Sequence, residues 1–105
     1  MIKPISINRI AKNFCDSAGE LIIGDRGNSH GDAKTNFQTI ADLWSTYLDV
    51  KISASQVPLM MVLLKMARVK SGQFNQDDYV DMCGYSALAG EIATMEQSDE
   101  GEQNE

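Results

Sequence analysis

The stretch from Val57 to Lys70 constrains the fold of this chain more than any other part of the sequence. It reads V-P-L-M-M-V-L-L-K-M-A-R-V-K and contains an unbroken apolar run from Leu59 to Leu64. Met, Leu, Lys, Ala and Arg favour helix, and the stretch is longer than a usual strand. A helix that is apolar on every face is normally buried on every face. We therefore predict a central helix with the other segments packed around it.

The start of this helix has two possible caps. Proline is tolerated in the first turn of a helix, where its missing N–H is not needed. Ser55 as the N-cap puts Pro58 at the third helical position. Ser53 with Gln56 forms a capping box but places Pro58 deeper. Ser55 suits the proline better.

Three further segments have helical periodicity, with apolar residues recurring about every 3.6 positions. We predict helices over Ser6 to Ile23, Thr35 to Leu48 and Gln76 to Met95, with Trp44 as a core residue in preference to a base-stacking one. Glycine ends helices readily, so Gly24 is expected to stop the first of them. The predicted fold is all-α, with about four helices and at most a short strand over residues 50–52.

The acidic residues are concentrated at one end of the chain. The 105-residue chain has a net charge of −6, and five of its 15 acids lie in the last ten positions. We predict one all-α domain over residues 1–96 and an acidic disordered tail over 97–105. The remaining body is near neutral, so no basic patch for duplex nucleic acid is expected.

Two other features bear on where the protein works. No apolar stretch is long enough to span a bilayer, and residues 1–4 lack the apolar core of a signal peptide. Cys15 and Cys83 lack zinc-type spacing and are predicted to be reduced thiols. We expect a cytoplasmic protein without a membrane partner.

A polar segment from Gly24 to Asn36 is the first candidate for function. It contains three glycines and two asparagines together with Asp25, Arg26 and His30. It lacks the Gly-Lys-Ser/Thr ending of a P-loop. A plain surface loop and a ligand-binding loop are both consistent with this composition.

Charged residues on two helices form the second candidate. Lys65 and Arg68 are three residues apart, and Asp77 and Asp81 are four apart, so each pair shares one helix face. A short turn joins the two helices, so these faces are expected to lie side by side. The arrangement is either an interhelical salt-bridge network or a site for metal and phosphate. Asp78 is interpreted as an ordinary acid at a helix N-terminus.

The chain also resembles a known group of proteins. The motifs are Gly24-Asp25-Arg26-x-x-x-His30-Gly31-x-x-x-x-Asn36-Phe37, Ile40-Ala41-x-Leu43-Trp44, Met60-Met61-x-Leu63-Leu64-Lys65-x-Ala67-Arg68 and Asp77-x-x-x-Asp81-x-x-Gly84-Tyr85. Together they resemble a family of small uncharacterised phage and prophage proteins, in which tyrosine often stands at the position of His30. More distantly, the pattern is similar to the all-α nucleotide pyrophosphohydrolases of the MazG and dimeric dUTPase type.

That resemblance implies a helical bundle that binds nucleotides. The MazG-type enzymes hydrolyse nucleoside triphosphates to monophosphate and pyrophosphate with Mg²⁺ held by helical carboxylates, and they form dimers or tetramers. Carried to this chain, it implies phosphate binding by Lys65, Arg68 and Arg26, and Mg²⁺ binding by Asp77 and Asp81. The ligand loop would contain Asp25, His30 and Asn36, with Tyr85 nearby. The chain departs from the enzymes in having one clear acidic pair, since Asp42 is the only acid between Thr35 and Leu48.

Three functions follow from this reading. The first is a Mg²⁺-dependent nucleoside triphosphate pyrophosphohydrolase. The second is a phage protein that sequesters a nucleotide or a nucleotide-derived signal, as an antagonist of host defence does. The third is a structural or interaction protein without a ligand. In each case we expect a homodimer or larger assembly, through the central helix or through the small residues Gly84, Ala87 and Gly90 of the last helix.

Overall fold

The computed structural model describes residues 7–26 and 32–103, with side chains for residues 7–24 and 32–99. Within these ranges it contains four α-helices and no strand. They are α1 (Arg9–Leu21), α2 (Ala33–Leu48), α3 (Gln56–Ser71) and α4 (Gln76–Gln103), and a π-helical segment, Ile22–Arg26, follows α1 directly. The predicted all-α class with about four helices is confirmed.

The centre of the fold is α4, not α3. Both α3 and α1 pack along α4, whereas α3 has a smaller contact with α2. Only Val57 and Pro58 of α3 are buried, and Leu59, Leu63 and Met66 are each at least half exposed. The prediction of a central helix buried on every face is therefore wrong for the single chain. Too few helices surround α3 to cover all its apolar faces.

The hydrophobic core lies where α2, α3 and α4 meet. Its buried members are Phe37, Ala41, Ala54, Val57, Leu88 and Ile92. Ile40 and Trp44 pack against it while partly buried, which confirms Trp44 as a residue of the core. Alanines at positions 41 and 54 let the helix backbones approach closely, which explains why so short a chain can close a core here.

Both serines before α3 contribute to its start, in a way that the sequence did not predict. Ser55 has helical backbone angles and no capping bond from its side chain. Its N–H and hydroxyl instead donate to the Glu96 carboxylate of α4, at 3.2 and 2.9 Å. The Ser53 N–H donates to Gln56 Oε1 at 2.9 Å, which is one half of the capping box. Pro58 is the third residue of α3, as predicted.

The side chain of Ser45 stabilises the connection between α2 and α3. Asp49 ends α2 in a left-handed conformation with φ 56°, which aspartate tolerates better than most residues. Ser45 Oγ then accepts from the Ile52 N–H at 2.9 Å and lies 3.3 Å from the Ile52 carbonyl oxygen. These bonds satisfy the backbone of the connector and direct the chain into α3.

Two helix ends differ from the sequence prediction. Helical structure continues through Gly24 to Arg26 as the π-helical segment, and α4 continues past Met95 to Gln103. Residues 97–103, which we expected in a disordered tail, are thus helical. This part of the chain contains good helix formers and no proline. Lys34 Nζ also lies 3.3 Å from Asp99 Oδ2, so α2 contacts the extension.

The packing of α1 also differs in part from the predicted pattern. Ala18 is buried and Phe14 half-buried, but Ile10 and Leu21 are exposed. A Cβ added at Gly84 would lie 4.0 Å from the Cβ of Ala18. The small-residue face of α4 near Gly84 therefore receives α1 of the same chain, and Gly84 is not open to a partner helix as we expected.

Replacing Ile92 with Ala tests this core. Ile92 is 1% exposed, so the change removes a fully buried side chain and leaves a cavity. We expect urea unfolding to show a loss of about 2–5 kcal/mol. The matched control is Ile10→Ala, because Ile10 is 62% exposed on α1, and we expect a change within about 0.5 kcal/mol. Equal losses in the two variants would contradict the position of the core.

Candidate functional site

An open cleft lies between α2 and the antiparallel pair formed by α3 and α4. Its volume is about 800 Å³, and the end of α1 contributes Leu21 and Ile22 to it. Three aromatic side chains, Phe37, Trp44 and Tyr85, line its walls. Ligand-binding clefts in proteins typically measure roughly 300–1,000 Å³ and are lined by apolar and aromatic side chains. This cleft has both properties.

The residues at the floor of the cleft come from α3 and α4, and the antiparallel packing of these two helices determines which side chains lie there. Val57 and Met61 of α3 line it, together with Tyr85 and Leu88 of α4. Residues four apart on a helix lie on the same face. Lys65 therefore follows Met61 on α3, and Asp81 precedes Tyr85 on α4, each by one helical turn. Lys65 and Asp81 thus form an ion pair one helical turn beyond the apolar floor, and neither side chain is among those that line the cleft.

The geometry of this ion pair sets it apart from the other charges on the surface. Lys65 Nζ lies 2.9 Å from Asp81 Oδ2, with the side chains 13% and 27% exposed. Their surroundings therefore have a lower effective dielectric than water, which strengthens the attraction between the charges. The pair joins α3 to α4 and holds the ammonium group one helical turn beyond Met61, which lines the cleft.

A second ion pair lies one turn farther along both helices. Arg68 Nε is 3.7 Å from Asp78 Oδ1, and the Asp78 side chain is 7% exposed. We predicted Asp77 as the second acid facing the cations, and this is wrong. Asp77 is exposed, and its N–H donates to the Asn75 side chain that caps α4.

The sequence contained a signal for Asp78 that we did not use. Asp78 and Asp81 are three residues apart, as are Lys65 and Arg68. Equal spacing on two antiparallel helices brings each acid opposite one cation. Asp77 is one position away on the helix, about 100° around its axis, and therefore faces solvent.

The other predicted site residues lie in different places. Asn36 and Tyr85 both line the cleft. Asp32 lies at its rim, where its carboxylate caps α2 by accepting from the Lys34 N–H at 3.2 Å. His30 lies outside the described residues, and so do the side chains of Asp25 and Arg26. The roles predicted for these last three residues stay predictions.

The acids of the site do not fit a metal held by the protein. Among the described side chains, no group of three or more His, Cys, Asp or Glu residues is arranged to hold a metal ion. Asp81 is paired with Lys65, and Asp78 lies beside Arg68. A nearby cation opposes the binding of Mg²⁺ to the same carboxylate by charge repulsion. The predicted pair of Asp77 and Asp81 therefore lacks the donor set of a two-metal centre.

The two cysteines contact each other across α1 and α4. Both are free thiols, as predicted, although they are not isolated from one another. Burial raises the pKa of the Cys83 thiol, and the neighbouring Cys15 sulfur raises it further. A raised pKa keeps the thiol protonated, and a protonated thiol is a poor nucleophile. Cys83, which is partly buried, accordingly has the properties of a packing residue, whereas Cys15 is exposed.

Comparison with known proteins assigns the family. The model of a domain of unknown function, DUF6378, matches residues 13–93, which is most of the chain and includes both ion pairs. The chain belongs to the DUF6378 family. The matched region contains all of α2 and α3 and every residue that lines the cleft except Met95.

Two phage proteins are similar to this DUF6378 protein. The Gene 55 protein of Mycobacterium phage D29 is 37% identical over 93 residues, which are 89% of this chain and 60% of the phage protein. The Gene 55 protein of Mycobacterium phage L5 is 41% identical over 73 residues, which are 69% of this chain and 47% of the phage protein. The chain therefore spans less than two thirds of either relative. These relatives confirm the resemblance to phage proteins.

Solved structures and the hydropathy of the helices bear on two further expectations, the MazG-like fold and the absence of a membrane partner. No solved structure matches the DUF6378 chain, so the similarity to MazG-type enzymes stays a prediction. None of the helices in the described part of the chain is long and apolar enough to cross a bilayer.

A double-mutant cycle measures the ion pair beyond the floor of the cleft. Lys65→Met, Asp81→Asn and the double variant should give a coupling energy of about 1–3 kcal/mol in urea unfolding, because both side chains are largely shielded from water. The control cycle uses Lys12 and Asp16 of α1, which are 2.7 Å apart but 73% and 55% exposed. Its coupling should be clearly smaller, because water screens the charges. Equal coupling in the two cycles would show that Lys65 and Asp81 are not shielded.

Proposed function

We propose that this DUF6378 protein binds a nucleotide or a nucleotide-derived small molecule in the cleft, with Lys65 as its phosphate-binding cation. The observation that supports this most is an open cleft lined by three aromatic side chains, with a largely shielded lysine one helical turn beyond its floor. The cleft offers a surface for a base, and the lysine offers a charge for a phosphate.

The size and lining of the cleft suit an aromatic ring. Its volume of about 800 Å³ exceeds the requirement of one nucleotide base and leaves space for a sugar and phosphates. Phe37, Trp44 and Tyr85 present ring surfaces on its walls. Stacking of a base on an aromatic side chain contributes roughly 1–3 kcal/mol. Trp44 can serve both the core and the ligand, since it is only partly buried.

The charges around the cleft orient such a ligand. Asp32 and Glu91 line one part of its rim, and their carboxylates repel a phosphate. Lys34, which also lines it, is paired with Asp99. Lys65 and Arg68 lie toward the opposite end, where α3 leaves the core. From Val57 to Lys65 the helix rises about 12 Å, which is the scale of a nucleotide with its phosphates.

A phosphate bound at this end must compete with Asp81 for Lys65 and with Asp78 for Arg68. A phosphate carries more negative charge than Asp81 and accepts more hydrogen bonds, so it can share Lys65 with that carboxylate. The Arg68 side chain is 60% exposed, and only its Nε is directed at Asp78. The outer edge of its guanidinium group can therefore contact a phosphate as well. Arg26, predicted as a third phosphate ligand, remains part of this proposal.

Binding without hydrolysis is the form of this function that the described residues support best. Hydrolysis of the MazG type requires several carboxylates around Mg²⁺, whereas here the two acids of the site face cations. The described residues thus provide positive charge for a phosphate, and Asp78 and Asp81, each beside a cation, are poorly suited to act as the base for an attacking water. Sequestration of a nucleotide or a nucleotide-derived signal is the proposed role, and pyrophosphohydrolase activity remains an alternative for the same experiment to test.

A second candidate is an interaction protein without a small-molecule ligand. The observation that favours it is the pairing of both cations with acids, at 2.9 and 3.7 Å. An interhelical salt-bridge network needs nothing else to be complete. The two candidates differ in what happens when a nucleotide is added.

Calorimetric titration with nucleosides and their mono- and triphosphates, with and without Mg²⁺, tests the proposal. We expect wild-type protein to bind a phosphorylated form and to bind its nucleoside more weakly. Lys65→Met should weaken binding roughly 10–100-fold, the effect of losing a hydrogen bond to a charged group. Lys70→Met is the matched control on the exposed side of α3 and should change affinity less than about threefold.

The outcomes separate the candidates. Release of pyrophosphate with Mg²⁺ would make the protein a hydrolase. No heat with any nucleotide, together with a large loss of melting temperature in Lys65→Met, would favour the salt-bridge network and reject the ligand site. Equal weakening by the Lys65 and Lys70 variants would show that binding is a general charge effect outside the cleft.

A further inference from the structure

One face of α3 carries large apolar side chains that no described residue of the chain covers. Leu59, Met60, Leu63, Leu64 and Met66 are between 37% and 63% exposed. At about half exposure their combined surface is roughly 500 Å², which already matches the largest apolar patch of a typical monomer, about 300–600 Å². On α2, Leu43 and Tyr47 are also exposed, at 64% and 86%.

The exposed apolar area of α3 is large enough for a protein–protein interface. Two copies of the α3 face would together bury roughly 1,000 Å², the total area that a specific interface should reach. Charged residues are rare in the centres of such interfaces. The run from Leu59 to Leu64 contains none, and Lys65 turns inward to Asp81.

The chain is more elongated than a compact domain of this length. Its radius of gyration is 16.7 Å, whereas a compact domain of 100 residues has one of about 13 Å. The principal extents are 61 × 36 × 26 Å. The length of α4 accounts for part of this elongation.

The exposed face of α3 can pack against its own copy. Leu59, Leu63 and Met66 are spaced four and three residues apart, which makes a continuous stripe on a helix. Gln56 and Lys70 continue the same spacing at the two ends and are polar. If two such helices cross antiparallel with Leu63 at the centre, Leu59 of each copy lies near Met66 of the other. The two Lys70 side chains then lie at opposite ends, so like charges are kept apart.

We propose that the exposed face of α3 is the interface of a homodimer, with a two-fold axis passing near Leu63. Leu63 of one copy contacts Leu63 of the other, as a two-fold interface requires for a residue on its axis. This interface leaves the cleft outside, because the cleft is on the side of α3 that faces α2 and α4. The dimer is therefore independent of the nucleotide proposal.

Light scattering of wild-type protein and of Leu63→Lys tests this interface. We expect wild type at micromolar concentration to have twice the mass of one chain and Leu63→Lys to have the mass of one chain. The variant opposes two ammonium groups across the axis, which costs more than the apolar contact they replace. Ile10→Lys is the matched control, because Ile10 is 62% exposed and Leu63 is 63% exposed, and it should remain dimeric.

Cysteine cross-linking covers the case in which Leu63→Lys fails to fold. Leu63→Cys, in a chain with Cys15 and Cys83 replaced by Ala, should form a disulfide-linked dimer with copper–phenanthroline as the oxidant. Ile10→Cys in the same background should not. A monomeric wild type, a Leu63→Lys variant that stays dimeric, or equal cross-linking at the two positions would each overturn the proposal. A stable complex with any other protein in place of the dimer would also do so.

Discussion

The antiparallel packing of α3 along α4 is the constraint on which the rest of the structure depends. It brings Val57 and Ile92 together in the core, Met61 and Tyr85 together in the floor of the cleft, and Lys65 together with Asp81 one helical turn beyond that floor. One register therefore fixes the core, the cleft and the ion pair in consecutive layers. A shift of either helix by one residue would move each of these residues about 100° around its helix axis.

The electrostatics of the site follow from the same packing. Two shielded acids face two cations across the helix pair, and leaving one member of such a pair unpaired is costly. The charges are therefore part of the fold as well as candidates for function. A mutation of one of these charges can therefore change both ligand affinity and folding stability, so both quantities have to be measured for each variant. It also explains why phosphate binding suits this site better than a metal held by its acids.

Much of the fold follows from local sequence patterns. Helical periodicity predicted all four helices, and Pro58 and the polar connectors indicated where several of them begin or end. The central position of α4 could not be predicted from an apolar run, because apolarity does not show whether the covering surface comes from the same chain or from another one. In the site, Lys65 with Asp81 was predictable from spacing. The pairing of Asp78 with Arg68 was not predicted, because an acid in the first turn of a helix is already explained by its favourable interaction with the helix dipole.

Trp44 offers the most direct test of the central claim, that the cleft is a binding site. It is the one tryptophan of the chain, and it lines the cleft, so its fluorescence reports on the site without labelling. The measurement is titration of wild-type protein with the nucleoside triphosphate panel, excited where nucleotides absorb little, with free tryptophan as the control for quenching in solution. The account predicts saturable quenching that Lys65→Met shifts to higher ligand concentration. Linear quenching, equal to that of free tryptophan for every nucleotide, would contradict it.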